Sequence, residues 1–121
     1  MTLAPGLLHS PPVSRFKRHF FVCVQERPEG GRPSCGPRGG REIASGLVAG
    51  MMQHEELWSD VSVTPTLCLG PCFDGPTVVA YPEGVWYGCV KPDDVSELVS
   101  EHLSGGRPVE RLRYRWPTEQ A

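Results

Sequence analysis

Residues Cys68 to Gly88 constrain this chain more than any other stretch. Cys68 and Cys72 stand with three residues between them, in a segment that Gly70 and Pro71 keep out of regular structure. Behind them Thr77–Tyr81 is a short apolar run, Pro82-Glu83-Gly84 is a turn, and Val85–Tyr87 returns as a second run ending in aromatics. Two strands joined by so tight a turn pair antiparallel. Thiols on a stiff loop beside a hairpin form a place to hold something, and Cys23 and Cys35 lie upstream. The chain therefore reads as a scaffold that gathers four sulfurs around a metal cluster.

The other elements follow from periodicity. His19–Val24 is a run of strand formers and gives a first strand with Cys23 near its exit. Gln25 to Arg41 is dominated by Gly, Pro and Arg. Connections this long are usually functional or disordered, and Cys35 tips the balance toward function, since a ligand there would anchor a loop that has no core of its own. From Glu42 to Leu57 the pattern turns helical, with Ile43, Ala44, Leu47, Val48, Met51 and Met52 on the apolar half of the wheel. Gly46 and Gly50 weaken that helix by up to about 1 kcal/mol each against alanine. They allow close packing on the sheet or on a second copy. Asp60–Leu67 alternates and is β-branched, so it is a second strand, and Pro65 places it at an edge or a strand end. In the last helix Val95, Leu98, Val99, His102 and Leu103 share one stripe, Pro92 opens it, and Gly105-Gly106 stops it. Lys91 stands where a capping Asp, Ser or Thr is preferred, which weakens the helix start.

A crossover helix makes the first two strands parallel, and the tight turn makes the last two antiparallel. The result is an α/β fold of the thioredoxin-like kind, a four-stranded mixed sheet flanked by two helices. We place the domain at 19–114, with a flexible N-terminal tail at 1–18 and a C-terminal tail at 115–121 that folds back over the surface. Arg15, Lys17 and Arg18 without any acid before residue 26 faintly suggest a transit peptide, but Pro5, Pro11 and Pro12 spoil it as an amphipathic helix.

Twelve basic and fourteen acidic residues leave a net charge of −2, without the basic stripe that nucleic acid demands. No apolar run is long enough to span a bilayer. Five cysteines without an apolar leader argue against a secreted disulfide framework, so the expected location is the reducing cytoplasm. The cysteine pattern is Cys23-x11-Cys35 and Cys68-x3-Cys72. Soft thiolates select iron–sulfur clusters, zinc or copper(I), so donor chemistry alone leaves the metal open. A structural zinc or adaptor domain accepts the second pair, while the first is unusually wide for it. A thiol–disulfide oxidoreductase wants Cys-x-x-Cys at a helix start after the first strand, and no such motif exists. Nothing in the sequence suggests an enzyme: there is no phosphate-binding Gly motif, nucleophile triad or paired-carboxylate motif.

The two spacings, together with Gly-Pro-Thr-Val-Val-Ala-Tyr-Pro-Glu-Gly-Val-Trp-Tyr-Gly at 75–88 and the segment Glu101–Leu112, resemble the thioredoxin-like [2Fe-2S] ferredoxins, also called Shethna-type. The resemblance covers His19 to Tyr114. It implies a [2Fe-2S] cluster ligated by Cys23, Cys35, Cys68 and Cys72, a free-standing one-electron carrier, unnamed redox partner proteins, and a homodimer packing through sheet and helices. Backbone N–H groups at Gly70 and beside Cys35 are expected to tune the cluster. Cys89 has no place in that ligand set and is expected to be a small buried filler. His19 is expected at a strand edge and His102 in the core, neither as a ligand.

Overall fold

The computed structural model describes residues 16–27, 34–71 and 74–116. Most of the expected N-terminal tail, Cys72 and the last five positions fall outside these residues. A single sheet holds β1 (Arg18–Cys23), β2 (Val61–Thr66), β3 (Val78–Tyr81) and β4 (Val85–Tyr87) in the order β2-β1-β3-β4. β1 and β2 run parallel, joined through the helix α1 (Arg41–Met52) and a short 3-10 turn Glu55–Leu57. β3 pairs antiparallel with both β1 and β4. β2 is an edge strand, so Pro65 leaves no central ladder bond unmade.

Strand alternation assigns the two faces. Phe20 lies opposite Val63 and Ala80, and Val22 opposite Val78, so these side chains share the face covered by the helices. There they meet Ile43 and Leu47 of α1 and Leu98 and Leu103 of the last helix, which forms the buried core. Val48 and Met52, expected on the apolar face of α1, are exposed. The apolar half-wheel read from the sequence is wider than the face the sheet covers. The glycines of α1 serve the neighbouring helix and not the sheet: a Cβ at Gly46 would lie 3.0 Å from Val95 Cγ1, and one at Gly50 would lie 2.7 Å from Val99 Cγ2.

The last helix, α2, opens as a 3-10 turn Pro92–Asp94, passes through an α-helical turn Val95–Glu97, and is wound more widely over Leu98–Ser104. Lys91 is no defect at its start. Asp94 Oδ2 accepts the Lys91 N–H at 2.9 Å while the Asp94 N–H donates to the Lys91 carbonyl at 2.8 Å. The acid inside the first turn thus takes over the capping. Burial alone would raise the Asp94 pKa, but the Arg111 guanidinium and the Lys91 N–H outweigh it and hold the carboxyl below its usual range. At the other end Gly106, at φ +75°, stops the helix as expected. The Arg18 Nε–H donates to the Leu103 carbonyl at 3.0 Å, satisfying an acceptor that α2 leaves open.

His102 is completely buried and fully satisfied. Val109 N–H donates to Tyr87 Oη at 3.0 Å, so the hydroxyl proton is free for His102 Nδ1 at 2.6 Å. Nε2 of His102 then donates to Glu83 Oε2 at 2.7 Å. Burial pushes the Tyr87 phenol up to about 12. His102 is a structural link between the hairpin turn and α2, in agreement with the sequence reading. No helix among the described residues is long and apolar enough to cross a membrane.

Candidate metal centre

The first two cysteines are brought together at one end of the sheet. Cys23 ends β1, held by its N–H to the Thr77 carbonyl at 3.1 Å. The returning chain places Cys35 directly before the wide turn Gly36–Gly40, whose Arg38 and Gly40 N–H groups donate to the Cys35 carbonyl at 3.1 and 2.8 Å. Two glycines let this turn press on the strand exit. A Cβ at Gly36 would stand 2.5 Å from the Val24 carbonyl oxygen, and one at Gly40 would collide with that of Cys23. Cys23 and Cys35 are each 1% exposed, and their thiols are in hydrogen-bond contact.

The second loop closes over the same point. Cys68 is exposed, and its N–H donates to Gln25 Oε1 at 3.3 Å. Leu69 and Gln25 direct backbone N–H groups at the Cys23 sulfur. Buried Thr77 joins the two parts, accepting from Cys23 on its carbonyl and donating its hydroxyl to the Pro71 carbonyl at 3.4 Å. Burial pushes the Cys23 thiol up, the N–H groups pull it down and the Cys35 sulfur pushes it up, for a net rise. Without metal the Cys23 thiol is held protonated, so metal binding there must release a proton and weakens as pH falls.

Cys72 lies outside the described residues, and among those described no group of three or more His, Cys, Asp or Glu side chains is close enough to hold a metal. Cys23 and Cys35 are thus together, with the Cys68 backbone tethered beside them. This arrangement fits a thiolate-bound cluster: soft donors, exclusion from water, and N–H dipoles aimed at a sulfur. The Gly36 N–H is spent on the Gln25 carbonyl at 3.0 Å and the Gly40 N–H on the Cys35 carbonyl at 2.8 Å, so the donors at the Cys23 sulfur come from Gln25 and Leu69 instead. Gln25 carries no motif, and only the fold shows that it and Thr77 bridge the two cysteine loops.

Cys89 corrects a second expectation, because it is exposed and not a core filler. Its N–H reaches the Asp74 carbonyl at 2.6 Å, which requires φ +51° and turns the side chain outward while Val90 takes the buried position. His19 bonds Thr64 Oγ1 across the strands at 2.7 Å and stacks on Phe21, and partial burial holds its imidazole below the usual range. Trp86 is half-buried against Trp116.

No protein-family model matches the chain. A 2Fe-2S ferredoxin of Aquifex aeolicus (strain VF5) is 50% identical over 101 residues, covering 83% of this chain and 90% of that one. A 2Fe-2S ferredoxin of Clostridium pasteurianum is 42% identical over 98 residues, covering 80% and 95%. The crystal structure of the wild-type thioredoxin-like [2Fe-2S] ferredoxin from Aquifex aeolicus matches with TM-score 0.79 and 47% identity, covering 85% of this chain and 100% of its own. Two single cysteine-to-serine variants of that protein match with TM-scores of 0.78 and 0.77, each at 47% identity and covering 82% of this chain and 99% of their own. The chain belongs to the thioredoxin-like [2Fe-2S] ferredoxins.

Proposed function

We propose that this chain is a one-electron carrier that binds a [2Fe-2S] cluster through Cys23, Cys35, Cys68 and Cys72. The observation that carries the reading is the buried Cys23–Cys35 pair, covered by backbone N–H groups of its own loop and of the second cysteine loop. The cysteines replaced by serine in the two Aquifex variants stand four positions apart, the separation of Cys68 and Cys72. When bound, such a cluster accepts and returns a single electron. The protein's part is ligation, exclusion of water from Cys23 and Cys35, and N–H dipoles that stabilise negative charge on sulfur. No catalytic residue is assigned.

The electron-transfer unit spans 19–114, and its redox partners dock where the second loop leaves Cys68 exposed. The sheet face away from the helices carries His19, Phe21, Val79, Tyr81 and Trp86, and we assign it to a homodimer contact. We place the chain in a reducing, cytoplasmic setting, where clustered thiols serve metal binding more often than structural disulfides. The test is absorption of air-free protein before and after dithionite. Sulfur-to-iron bands that bleach on reduction, with equimolar iron and sulfide, are expected. A chain that stays colourless after iron–sulfur reconstitution overturns the reading and puts structural zinc first.

A further inference from the structure

Gln25 stands where three of the four proposed ligands come together. Its backbone N–H points at the Cys23 sulfur, and its carbonyl accepts the Gly36 N–H, next to Cys35, at 3.0 Å. Its side chain reaches the third: Oε1 accepts the Cys68 N–H at 3.3 Å. The parallel ladder ends just before that point, with the Val24 N–H on the Thr66 carbonyl at 2.9 Å. Two residues beyond the end of β2, the Gln25 carboxamide spans the gap to Cys68. The tether and both stretches it joins lie within residues 16–27 and 34–71.

The carboxamide is aimed and not merely nearby. Nε2 donates to the Glu26 carbonyl at 2.9 Å, which turns Oε1 toward Cys68. The root of the side chain is held as well. The Gly36 N–H bonds the Gln25 carbonyl, and the Arg27 N–H donates to Ser34 Oγ at 3.3 Å, so the stretch 25–27 is tied to the returning chain on both sides of Cys35. Cys23 and Cys35 are buried, whereas Cys68 is exposed. Core packing therefore does least for Cys68, and a tether matters most there.

We propose that Gln25 is a positioning residue for the metal centre: its carboxamide oxygen sets where Cys68 stands relative to Cys23 and Cys35. The inference rests on the cluster reading above. Polar groups that hold a metal ligand from behind fix its orientation and tune the centre it helps to build. The requirement is for an acceptor at one particular reach. Glutamate keeps both length and acceptor, asparagine keeps the acceptor but is one methylene shorter, and leucine keeps bulk without an acceptor.

The experiment compares wild type, Gln25→Leu, Gln25→Asn and Gln25→Glu, all loaded without air and measured at high salt, which screens the charge that glutamate adds. Its readouts are iron release to a chelator, visible circular dichroism, midpoint potential, and melting of the metal-free chain. Gln25→Leu and Gln25→Asn are expected to release iron roughly two- to tenfold faster, the factor one ordinary hydrogen bond carries. Their dichroism and potential are expected to change, with melting of the metal-free chain unmoved. Gln25→Glu is expected to release iron at the wild-type rate. Should Gln25→Leu fail to fold, the contrast between Gln25→Asn and Gln25→Glu decides. Gln25→Asn indistinguishable from wild type in release rate, dichroism and potential, or Gln25→Glu releasing iron as fast as Gln25→Asn, would overturn the assignment. Absence of iron and sulfide from wild type would sink the cluster reading itself.

Discussion

Gly36→Ala separates what holds the fold from what holds the metal. The added methyl would sit 2.5 Å from the Val24 carbonyl oxygen and 3.1 Å from that of Gln25, where ordinary contact begins at 3.4 Å. The deficit of 0.9 Å, taken as 3.4 minus 2.5, lies between two stretches of backbone, so no rotamer change relieves it. If the loop stays in place, overpacking costs about 1–3 kcal/mol. If it recoils, the Gly36 N–H loses its bond to Gln25, at a cost of about 1 kcal/mol, and the neighbouring Cys35 moves with it. Metal–ligand distances tolerate only about 0.2 Å, so a displacement of this size defeats the site before it unfolds the domain. The expected outcome is a folded chain with little cluster. Iron, sulfide and visible dichroism per chain measure it after air-free reconstitution, beside the metal-free melting curve. Gly70→Ala is the control: its backbone is at φ +125° but nothing lies within 4 Å, so it strains the loop without a clash. Full iron and an unaltered visible dichroism in Gly36→Ala would refute the argument that this close approach places Cys35.

Cys72→Ala is expected to lose the cluster and Cys89→Ala to leave the visible spectrum unchanged, both read by absorption per iron. Gly50→Ala sets a helix gain of up to about 1 kcal/mol against overpacking of about 1–3 kcal/mol on Val99, whereas the looser contact at Gly46 should leave Gly46→Ala near neutral. Urea melts of the two variants should therefore differ by about 1 kcal/mol. Tyr87→Phe strands the Val109 N–H and His102 Nδ1 in the core, which should cost about 2–4 kcal/mol in the same assay. Asp94 is held below its ordinary 3.8, so its contribution is complete above that value and lost as pH falls through the lower folded value. Arg111→Gln should flatten the stability profile in that acid window, and an unchanged slope would remove Arg111 as the cause.

Strand and helix order were legible because period and punctuation agree: the β-branched alternation of 60–67 and the stripe from Val95 to Leu103 admit one reading each. The parallel crossover followed from connection rules, and the placing of Pro65 at an edge or a strand end from its missing N–H. What stayed hidden depends on tertiary partners. The sequence could not say that Gly46 and Gly50 face Val95 and Val99, because glycine does not name its neighbour. Nor could it show that Asp94 caps α2 from within, or that Asp74 draws the Cys89 N–H and tips that thiol into solvent. Of the metal site, the pairing of Cys23 with Cys35 was legible from spacing and resemblance. The donors aimed at the Cys23 sulfur were not, since any residue can offer a backbone N–H.

The two borders of the sheet are finished in different ways. Along β4 residues 112–114 occupy the outer bonding groups, and along β2 Pro65 offers no N–H at all. Exposed strand borders are templates on which further chains can add. Here neither border invites lateral growth, so a molecule stripped of its metal keeps its ladder closed. Loss of the cluster should leave a dispersed chain ready to be reloaded, and not a nucleus for fibrils.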